Sequence, residues 1–282
     1  MKEDLKEGYI EVLFEDEEYI IVNKPCDLLI NSDDESNQKT LHRMLVAMKD
    51  LKSQICDPGI KNLKHGYHFI HRLDFATSGV ICLGKTSKAA SVAGKLFEKR
   101  QVDKYYLAIL VGHLSKPMVE VDIAIGYDSR HLEDNKMMAI EGPFSVKPRQ
   151  AVTRILLLET GDYDGRKVSK VLMKPATGRR HQLRVHCQYI GHTILGDFTY
   201  SNRSDTEPPR MFLHSHRLRL PLKSGPLDIV TSDPFSSELL SGVFKTGLVY
   251  NSLNNTNGLS AFNILDNEHD AKFIKFVNKG DT

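Results

Sequence analysis

Hydrophobic residues along this chain fall mostly into short runs, some of them continuous and some alternating with polar residues. Runs of this kind are typical of β-strands. They lie at residues 19–22, 104–112, 119–125, 152–158 and 168–174, and a further short run begins at 211–213. Because turn-forming residues 161–165 separate the fourth and fifth runs, we expect those two to form a hairpin. The pattern predicts a sheet in which many neighbouring strands are antiparallel.

Three stretches have helical spacing instead. Residues 40–51 repeat leucine and methionine at intervals of three and four. A second helix is predicted to follow Ser87 as its N-cap and to run to residue 100. A third is predicted to open at residue 177 or 178 and to close at Gly191. A few helices beside many strands predict the α+β class, with a mixed, largely antiparallel sheet and flanking helices.

The two ends of the chain differ from its middle. Residues 1–18 are acidic and are predicted to form an N-terminal extension, whereas residues 19–240 carry the periodic pattern of a folded domain. From Ser241 the pattern fades into an asparagine-rich stretch. Residues 241–282 are therefore predicted to be a flexible C-terminal tail with at most one short helix near Lys272.

The composition is that of an ordinary globular protein, with 282 residues, 40% of them hydrophobic and 26% charged. We see no pattern of a signal peptide, a transit peptide or a membrane span. The four cysteines contain no CxxC pair, which indicates reduced thiols rather than a disulfide framework or a zinc site. We therefore expect a cytoplasmic or nuclear protein that does not bind a membrane.

Positive charge is concentrated in one part of the chain. Residues 165–224 contain twelve lysines and arginines but only three acids, a local net charge of +9, although the net charge of the whole chain is +2. A basic surface of this size suits a phosphate-rich partner such as a nucleic acid. A solvated face balanced by the acidic N-terminus is the equally open alternative.

Patterns for metals and nucleotide cofactors are weak or missing. His181 and His186 are five residues apart and do not share a helix face, and no carboxylate lies at ligand spacing near them or near His214 and His216. The sequence contains no GxxxxGK[ST], GxGxxG or GxSxG motif. We expect no metal and no cofactor, and serine hydrolysis has no support.

Two features could take part in binding or catalysis, and each also has an ordinary structural explanation. Arg180 and Arg184 are four apart on the predicted third helix and would share a face near its positive end. They could form a cation stripe for phosphate, or one could turn inward to a carboxylate. Asp74, in the segment HRLDFATSG between two predicted strands, has the composition of a turn-former.

Taken together, these segments resemble a known family. HRLDFATSG resembles the active-site motif of RNA pseudouridine synthases of the RluA family, and the family's other motifs follow in order. They are VNKP at 22–25, KYYLA at 104–108, GRRHQLRVH at 178–186, GHTILGDFTY at 191–200 and FLHSHRL at 212–218. The match covers residues 19–234. Asp27, Thr193 and Ser215 depart from the usual residues and resemble the eukaryotic RNA pseudouridine synthase domain-containing proteins.

The resemblance implies a pseudouridine synthase fold with a central catalytic cleft, and it makes residues 19–240 the catalytic domain. It also implies an enzyme that isomerises uridines in ribosomal, transfer or messenger RNA, without a cofactor. The residues it assigns are Asp74, Tyr106 and Arg184 as catalytic, and Arg72, Arg180, His181, Gln182 and Leu213 as substrate-binding. We expect a monomer.

The implied mechanism places an ionised Asp74 in a closed pocket, kept charged by Arg184, against a uridine flipped out of the helix. Tyr106 would stack on that base, Arg72 would fill the gap that the base leaves, and Leu213 would close the pocket. Two alternatives stay open. One is a non-catalytic RNA-binding protein on the same fold, and the other is a hydrolase that releases uracil.

Overall fold

A computed structural model describes residues 9–34, 39–52, 67–131, 137–254, 260–267 and 273–277. The chain divides into two compact units. The first unit contains the residues up to Asp103 together with Ser215–Ser232, and the second contains Lys104–His214 together with the residues from Asp233 onwards.

Strands dominate both units. In chain order they are β1 (Glu11–Glu15), β2 (Tyr19–Lys24), β3 (His68–Phe69), β4 (Ser78–Gly84), β5 (Asp103–Val111), β6 (Met118–Asp122), β7 (Ile125–Asp128), β8 (Met138–Ile140), β9 (Ser145–Arg149), β10 (Val152–Tyr163), β11 (Arg166–Pro175), β12 (Leu213–Leu220), β13 (Leu227–Val230), β14 (Phe244–Val249) and β15 (Ile274–Val277). The α-helices are α1 (Leu41–Lys52), α2 (Ser87–Glu98), α3 (Gln182–Tyr189) and α4 (Ala261–Asp266), and a 3-10 turn covers Ser129–His131.

The first unit is built on an antiparallel sheet in which β2 lies between β1 and β4. Strand β4 is buried along its whole length, which explains its continuous apolar run. Helix α2 covers the sheet, and its buried Ala89 and Ala93 are small enough to let it approach closely. Its N-cap is Thr86, one residue before the predicted Ser87, because the Thr86 hydroxyl accepts a hydrogen bond from the Ala89 amide at 3.1 Å.

The second unit is built around the hairpin of β10 and β11, which turns at Asp164 and Gly165. Strand β5 pairs with the outer side of β11, and β6 pairs with β10 on the other side. All of these pairs are antiparallel, as the sequence pattern predicts. A separate small sheet has the strand order β8-β7-β9.

The C-terminal stretch is part of the core of the second unit, so the predicted flexible tail is wrong for the residues that the structure describes. Strand β14 pairs with β10, and β15 pairs in parallel with β6. Phe244, Phe262 and Leu265 pack into the same cluster as residues of β5. The sequence pattern misses this because these elements are short. The helix expected near Lys272 falls outside the described residues.

The N-terminal end also contributes to a sheet. Strand β1 lies within the predicted extension at 1–18 and pairs with β2 from Glu11↔Asn23 to Glu15↔Ile20. Its side chains are mostly half-buried, so only a weak apolar pattern marks it. Among the described residues, no helix is both long enough and apolar enough to cross a membrane.

Candidate active site

Asp74 lies in a turn immediately before β4. The Thr77 amide donates a hydrogen bond to the Asp74 carbonyl at 3.1 Å, and the Asp74 side chain is half-buried. The strand expected to lead into this turn ends early, at Phe69. The reason lies at His71, whose Nε2 accepts a hydrogen bond from the Cys82 amide at 3.0 Å and so replaces a backbone carbonyl of the ladder.

A buried lysine connects this turn to the VNKP segment. Lys24 has no exposed surface, and its Nζ donates to the carbonyls of Pro25 at 2.9 Å, Leu28 at 2.8 Å and Phe75 at 3.0 Å. The Leu28 amide also donates to the Phe75 carbonyl, at 3.3 Å. Because a buried ammonium needs such acceptors, Lys24 holds the backbone next to Asp74 in place. Lys24 lies within the VNKP motif, but no neighbour in the sequence indicates this anchoring role.

Glycine is required where this turn enters β4. Gly79 has a φ of +107°, and a Cβ there would come within 2.2 Å of the Ser215 carbonyl oxygen. A left-handed backbone also occurs at Asp27, one of the departures from the family motifs, which has a φ of +54°. Aspartate tolerates this left-handed conformation better than most residues do.

The third helix is shorter than predicted. It begins at Gln182, and His181 before it has a φ of +52°. Arg180 therefore precedes the helix, so the expectation that Arg180 and Arg184 share a helix face is wrong. Arg180 is half-buried, and its Nε is a buried donor without a hydrogen-bond partner in the described residues.

The side-chain amide of Gln182 makes all of its hydrogen bonds within the protein. Its Oε1 accepts from the Thr177 hydroxyl at 2.7 Å and the Arg179 amide at 3.0 Å, and its Nε2 donates to Val152 O at 2.9 Å and Thr153 Oγ1 at 3.0 Å. An amide side chain has two donors and two acceptor positions, and all four are in use. Gln182 therefore positions the start of α3, and its contact with the substrate stays a prediction.

His186 continues this buried network. Its ring nitrogens lie 2.9 Å from Thr153 Oγ1 and 3.0 Å from Ile123 O. Desolvation by burial lowers the pKa of His186 to about 4. The neutral ring thus joins α3 to β10 and to the segment after β6, and it is not an RNA-facing cation.

Arg184 forms a buried ion pair with a residue that the sequence reasoning misses. Its Nε and Nη2 donate to the two carboxylate oxygens of Asp197 at 2.7 and 2.8 Å. The Asp197 side chain is fully buried and also accepts a hydrogen bond from the Tyr200 amide at 3.1 Å. The pairing of Arg184 with Asp74 stays a prediction. Asp197 is visible in the sequence only as part of the GHTILGDFTY motif.

Tyr200 brings two predicted site residues together. The Arg184 guanidinium carbon lies 4.9 Å from the centre of the Tyr200 ring, a cation–π contact. The Tyr200 hydroxyl lies 2.9 Å from His181 Nδ1 and accepts a hydrogen bond from the Met138 amide at 3.0 Å. His181 and Arg184 are therefore held on two sides of one buried tyrosine.

Tyr106 lies on the face of the sheet that carries α3. It stands opposite Met173 in the pairing of β5 and β11, so their side chains share a face. Met173 contacts Cys187 of α3, with the sulfur atoms 3.7 Å apart. The neighbouring Tyr105 points the other way, where it packs on Phe262 and donates a hydrogen bond to Asp266. The two tyrosines therefore lie on opposite faces of the sheet, and the role of Tyr106 in the site stays a prediction.

Two further predicted residues differ in exposure. Arg72, in the first unit, is exposed two residues before Asp74. Leu213, in the second unit, is buried at the start of β12, a strand of eight residues that is longer than the sequence pattern indicates.

Much of the charge in segment 165–224 is neutralised by folding. At least six of its twelve cations form ion pairs with carboxylates, most of which come from outside the segment. Lys170, for example, is buried between Glu159 and Asp233. A local count of charge therefore overstates the basic surface, because it ignores partners that are distant in sequence.

The described cysteines are free thiols. Burial raises the pKa of Cys82 to about 12 and also raises that of Cys187, so both stay protonated at neutral pH. Within the described ranges, no group of three or more histidine, cysteine or acidic side chains could hold a metal ion. Cys56 lies outside these ranges.

Comparison with known proteins gives a consistent result. The model of the RNA pseudouridylate synthase family matches residues 18–189. RNA pseudouridylate synthase domain-containing protein 1 of Danio rerio is 40% identical over 231 residues, covering 82% of this chain and 76% of the relative. The dual-specificity RNA pseudouridine synthase RluA of Haemophilus influenzae is 29% identical over 215 residues, covering 76% and 88%.

A solved structure agrees with these sequence matches. Human RNA pseudouridylate synthase domain containing 1 superposes with a TM-score of 0.75 at 34% identity, covering 87% of this chain and 92% of that one. Fold and similarity together define an RNA-modifying enzyme of the pseudouridine synthase class. The chain belongs to the RNA pseudouridylate synthase family. Both the family resemblance and the α+β fold predicted from the sequence are confirmed.

Proposed function

We propose that this protein isomerises specific uridines in RNA to pseudouridine, with Asp74 as the catalytic residue acting on a base that has left its stack. The reaction breaks the bond between N1 and C1′ and forms a bond between C5 and C1′. The hydrogen at C5 passes to solvent and N1 gains a proton, so no electrons are exchanged with another reactant. A carboxylate that attacks or stabilises the detached fragment suits this chemistry.

The observation that carries the proposal is the turn that holds Asp74. Its backbone is anchored by Thr77 and, through Phe75, by the buried ammonium of Lys24. A carboxylate on a rigid turn reaches a reacting atom with little loss of freedom. The half-buried side chain of Asp74 is shielded in part from water yet remains accessible. A stacked uridine could not reach such a group, and this supports base flipping.

Three residues of the second unit are proposed to complete the chemistry. Arg184 would stabilise the negative charge of Asp74 while Asp197 fixes its guanidinium plane. Tyr106 would stack on the flipped base and move a proton with its hydroxyl, and Leu213 would close the pocket. The support for Tyr106 is that it shares with α3 one face of the sheet.

Binding of RNA is proposed to rest on fewer cations than the sequence suggests. Arg180 is one of them, because its buried Nε lacks an acceptor within the described residues. A buried unpaired donor costs about 1–3 kcal/mol, and a phosphate oxygen would remove that cost. His181 and the exposed Arg72 would contribute further contacts to the RNA.

A cytoplasmic or nuclear location of the protein is supported by the free thiols of its described cysteines.

The test compares Asp74→Asn with Asp164→Asn, since Asp164 lies in the turn of the β10–β11 hairpin, in the other unit, and asparagine accepts its left-handed φ of +48°. RNA labelled with tritium at C5 of uridine reports turnover as tritium released to water. Asp74→Asn should abolish release and keep RNA binding, while Asp164→Asn should behave as wild type. Residual turnover of Asp74→Asn within about tenfold of wild type would remove Asp74 from the chemistry.

Product analysis separates the alternatives. An isomerase leaves RNA of unchanged mass that contains pseudouridine, whereas a glycosidic hydrolase releases free uracil. If the wild-type protein binds RNA but modifies no uridine in total cellular RNA, the protein is instead a non-catalytic RNA-binding protein. Mapping pseudouridine with and without the protein would also identify the RNA.

A further inference from the structure

Phe75 combines a fixed backbone with an exposed ring. Its carbonyl accepts hydrogen bonds from Lys24 Nζ at 3.0 Å and from the Leu28 amide at 3.3 Å. Its side chain is nevertheless 49% exposed, at a turn position where polar residues are usual. The ring therefore contributes little to the hydrophobic core, although the segment that carries it is rigid.

The position of this ring next to Asp74 indicates a role in binding, which an isolated exposed phenylalanine elsewhere on the surface would not have. Phe75 directly follows Asp74, and Arg72, on the other side of Asp74, is exposed as well. Aromatic rings and guanidinium planes are the two side-chain groups on which unpaired RNA bases stack. The half-buried carboxylate is thus bracketed along the chain by one group of each kind.

We infer that Phe75 stacks on an unpaired base of the RNA substrate next to the uridine that Asp74 acts on. The inference rests on the proposed function, because that function supplies both the RNA and the flipped uridine. Since every base has a π-face, the contact would favour unpaired over paired neighbours rather than one base over another. Phe75 would therefore select flexible, single-stranded surroundings of the target. It is assigned to substrate binding and not to the chemistry.

The experiment uses the full chain and a short single-stranded RNA with one uridine, and it measures the dissociation constant by fluorescence anisotropy. Phe75→Leu should weaken binding by roughly five- to a hundredfold, the range expected for loss of one base–aromatic stack. Phe75→Tyr should restore binding to near wild type. Phe144→Leu is the matched control, because Phe144 is 51% exposed in the turn just before β9, where its ring contacts the Arg130 guanidinium. All of these changes leave intact the main-chain carbonyl that Lys24 binds.

Two further measurements identify the partner of the ring. Removing the base on one side of the uridine, to give an abasic site, should weaken wild-type binding and should not weaken Phe75→Leu further. Phe75→Leu should also keep the wild-type salt dependence, whereas Arg180→Ala, at the proposed phosphate contact, should reduce the slope of log K against log salt by about 0.7. If the losses from Phe75→Leu and from the abasic sites on both sides simply add, the ring does not stack on a neighbouring base.

The outcome is independent of the test of Asp74, because it is read from binding. Wild-type affinity of Phe75→Leu would overturn the base contact even if Asp74→Asn is inactive. If Phe75→Leu binds intact RNA more weakly than wild type does but binds the RNA with the abasic site equally well, that result would support the contact even if Asp74→Asn stays active. In that last case the proposed function fails and the RNA contact stands.

Discussion

Arg184 and Asp197 form a buried, bidentate ion pair between α3 and the turn thirteen residues further along the chain. Both guanidinium nitrogens lie within 2.8 Å of a carboxylate oxygen. A planar fork can satisfy two oxygens at once, which an ammonium cannot do. The orientation of the predicted catalytic arginine is therefore determined by an acid of its own unit.

The first prediction follows from this pair. Asp197→Asn should lower the free energy of unfolding by about 3–5 kcal/mol, because it leaves a buried charge without its partner. Arg184→Lys should reduce turnover on the order of a hundredfold through misplacement of the charge, with RNA affinity changed little. Urea unfolding and tritium release measure the two effects.

The exposed pair of Arg217 and Asp228 provides the control. It is also bidentate, at 2.7 and 2.5 Å, but its carboxylate is 45% exposed. Arg217→Lys should change stability by less than about 1 kcal/mol. If Arg184→Lys behaves like Arg217→Lys in both assays, the geometry of the buried pair does not matter for the reaction.

The second prediction separates two adjacent tyrosines. Tyr105→Phe removes the hydrogen bond to Asp266 and should cost about 1–3 kcal/mol of stability with turnover retained. Tyr106→Phe removes a hydroxyl on the α3 face of the sheet and should reduce turnover by roughly a hundredfold or more if that hydroxyl moves a proton. Turnover that falls for Tyr105→Phe alone would reverse the assignment.

The third prediction concerns the C-terminal stretch. Leu265 of α4 is fully buried in the core of the second unit, whereas Leu248 of β14 is 66% exposed. Leu265→Ala should lower the free energy of unfolding by about 2–5 kcal/mol, and Leu248→Ala should stay within about 0.5 kcal/mol of wild type. Truncation after Ser241 should give an insoluble or unfolded protein. A soluble, active truncation would show that the core does not need this stretch.

The fourth prediction tests the turn that presents Asp74. Gly79→Ala should strongly destabilise the protein, because the new Cβ would clash with the Ser215 backbone and the positive φ would be strained. Gly94→Ala, in α2, meets no atom within 4 Å and should stabilise by about 0.5–1 kcal/mol. Thermal unfolding of both variants gives the comparison, and equal melting temperatures would contradict the geometry of the turn.

The fifth prediction concerns pH. Because burial lowers the pKa of His186 to about 4, below its usual 6.5, the unfolded state binds the proton more tightly than the folded state. Stability should be full above pH 6.5 and should fall, on the order of 3 kcal/mol in total, as the pH decreases toward 4.

Urea unfolding between pH 7.5 and 4.5 measures this dependence. In His186→Gln the titrating group is gone, so its curve against pH should be flatter although its stability is lower at neutral pH. His131→Gln removes an exposed histidine and should keep the wild-type curve. An unchanged pH dependence in His186→Gln would assign the acid sensitivity to other groups.

Much of the fold can be predicted from the sequence because it is encoded locally. The apolar runs at 152–158 and 168–174, with turn residues between them, predict the hairpin that the structure contains. The apolar segments around β4 and β5 predict these strands for the same reason. Each segment is apolar because most side chains of that strand are buried. The family, too, could be identified from motif order alone, because each motif keeps its residues within a few positions of one another.

The rest depends on partners that are distant in the chain. Nothing near Arg184 in the sequence points to Asp197, and nothing near Gln182 shows that Val152 and Thr153 occupy its amide. The C-terminal elements are too short to show a period, yet Phe262 and Leu265 complete the core. The sequence by itself determined the longer strands and the family to which the chain belongs. Only the tertiary structure decided which polar groups are already satisfied, because hydrogen bonding and desolvation depend on neighbours that the folded chain brings together.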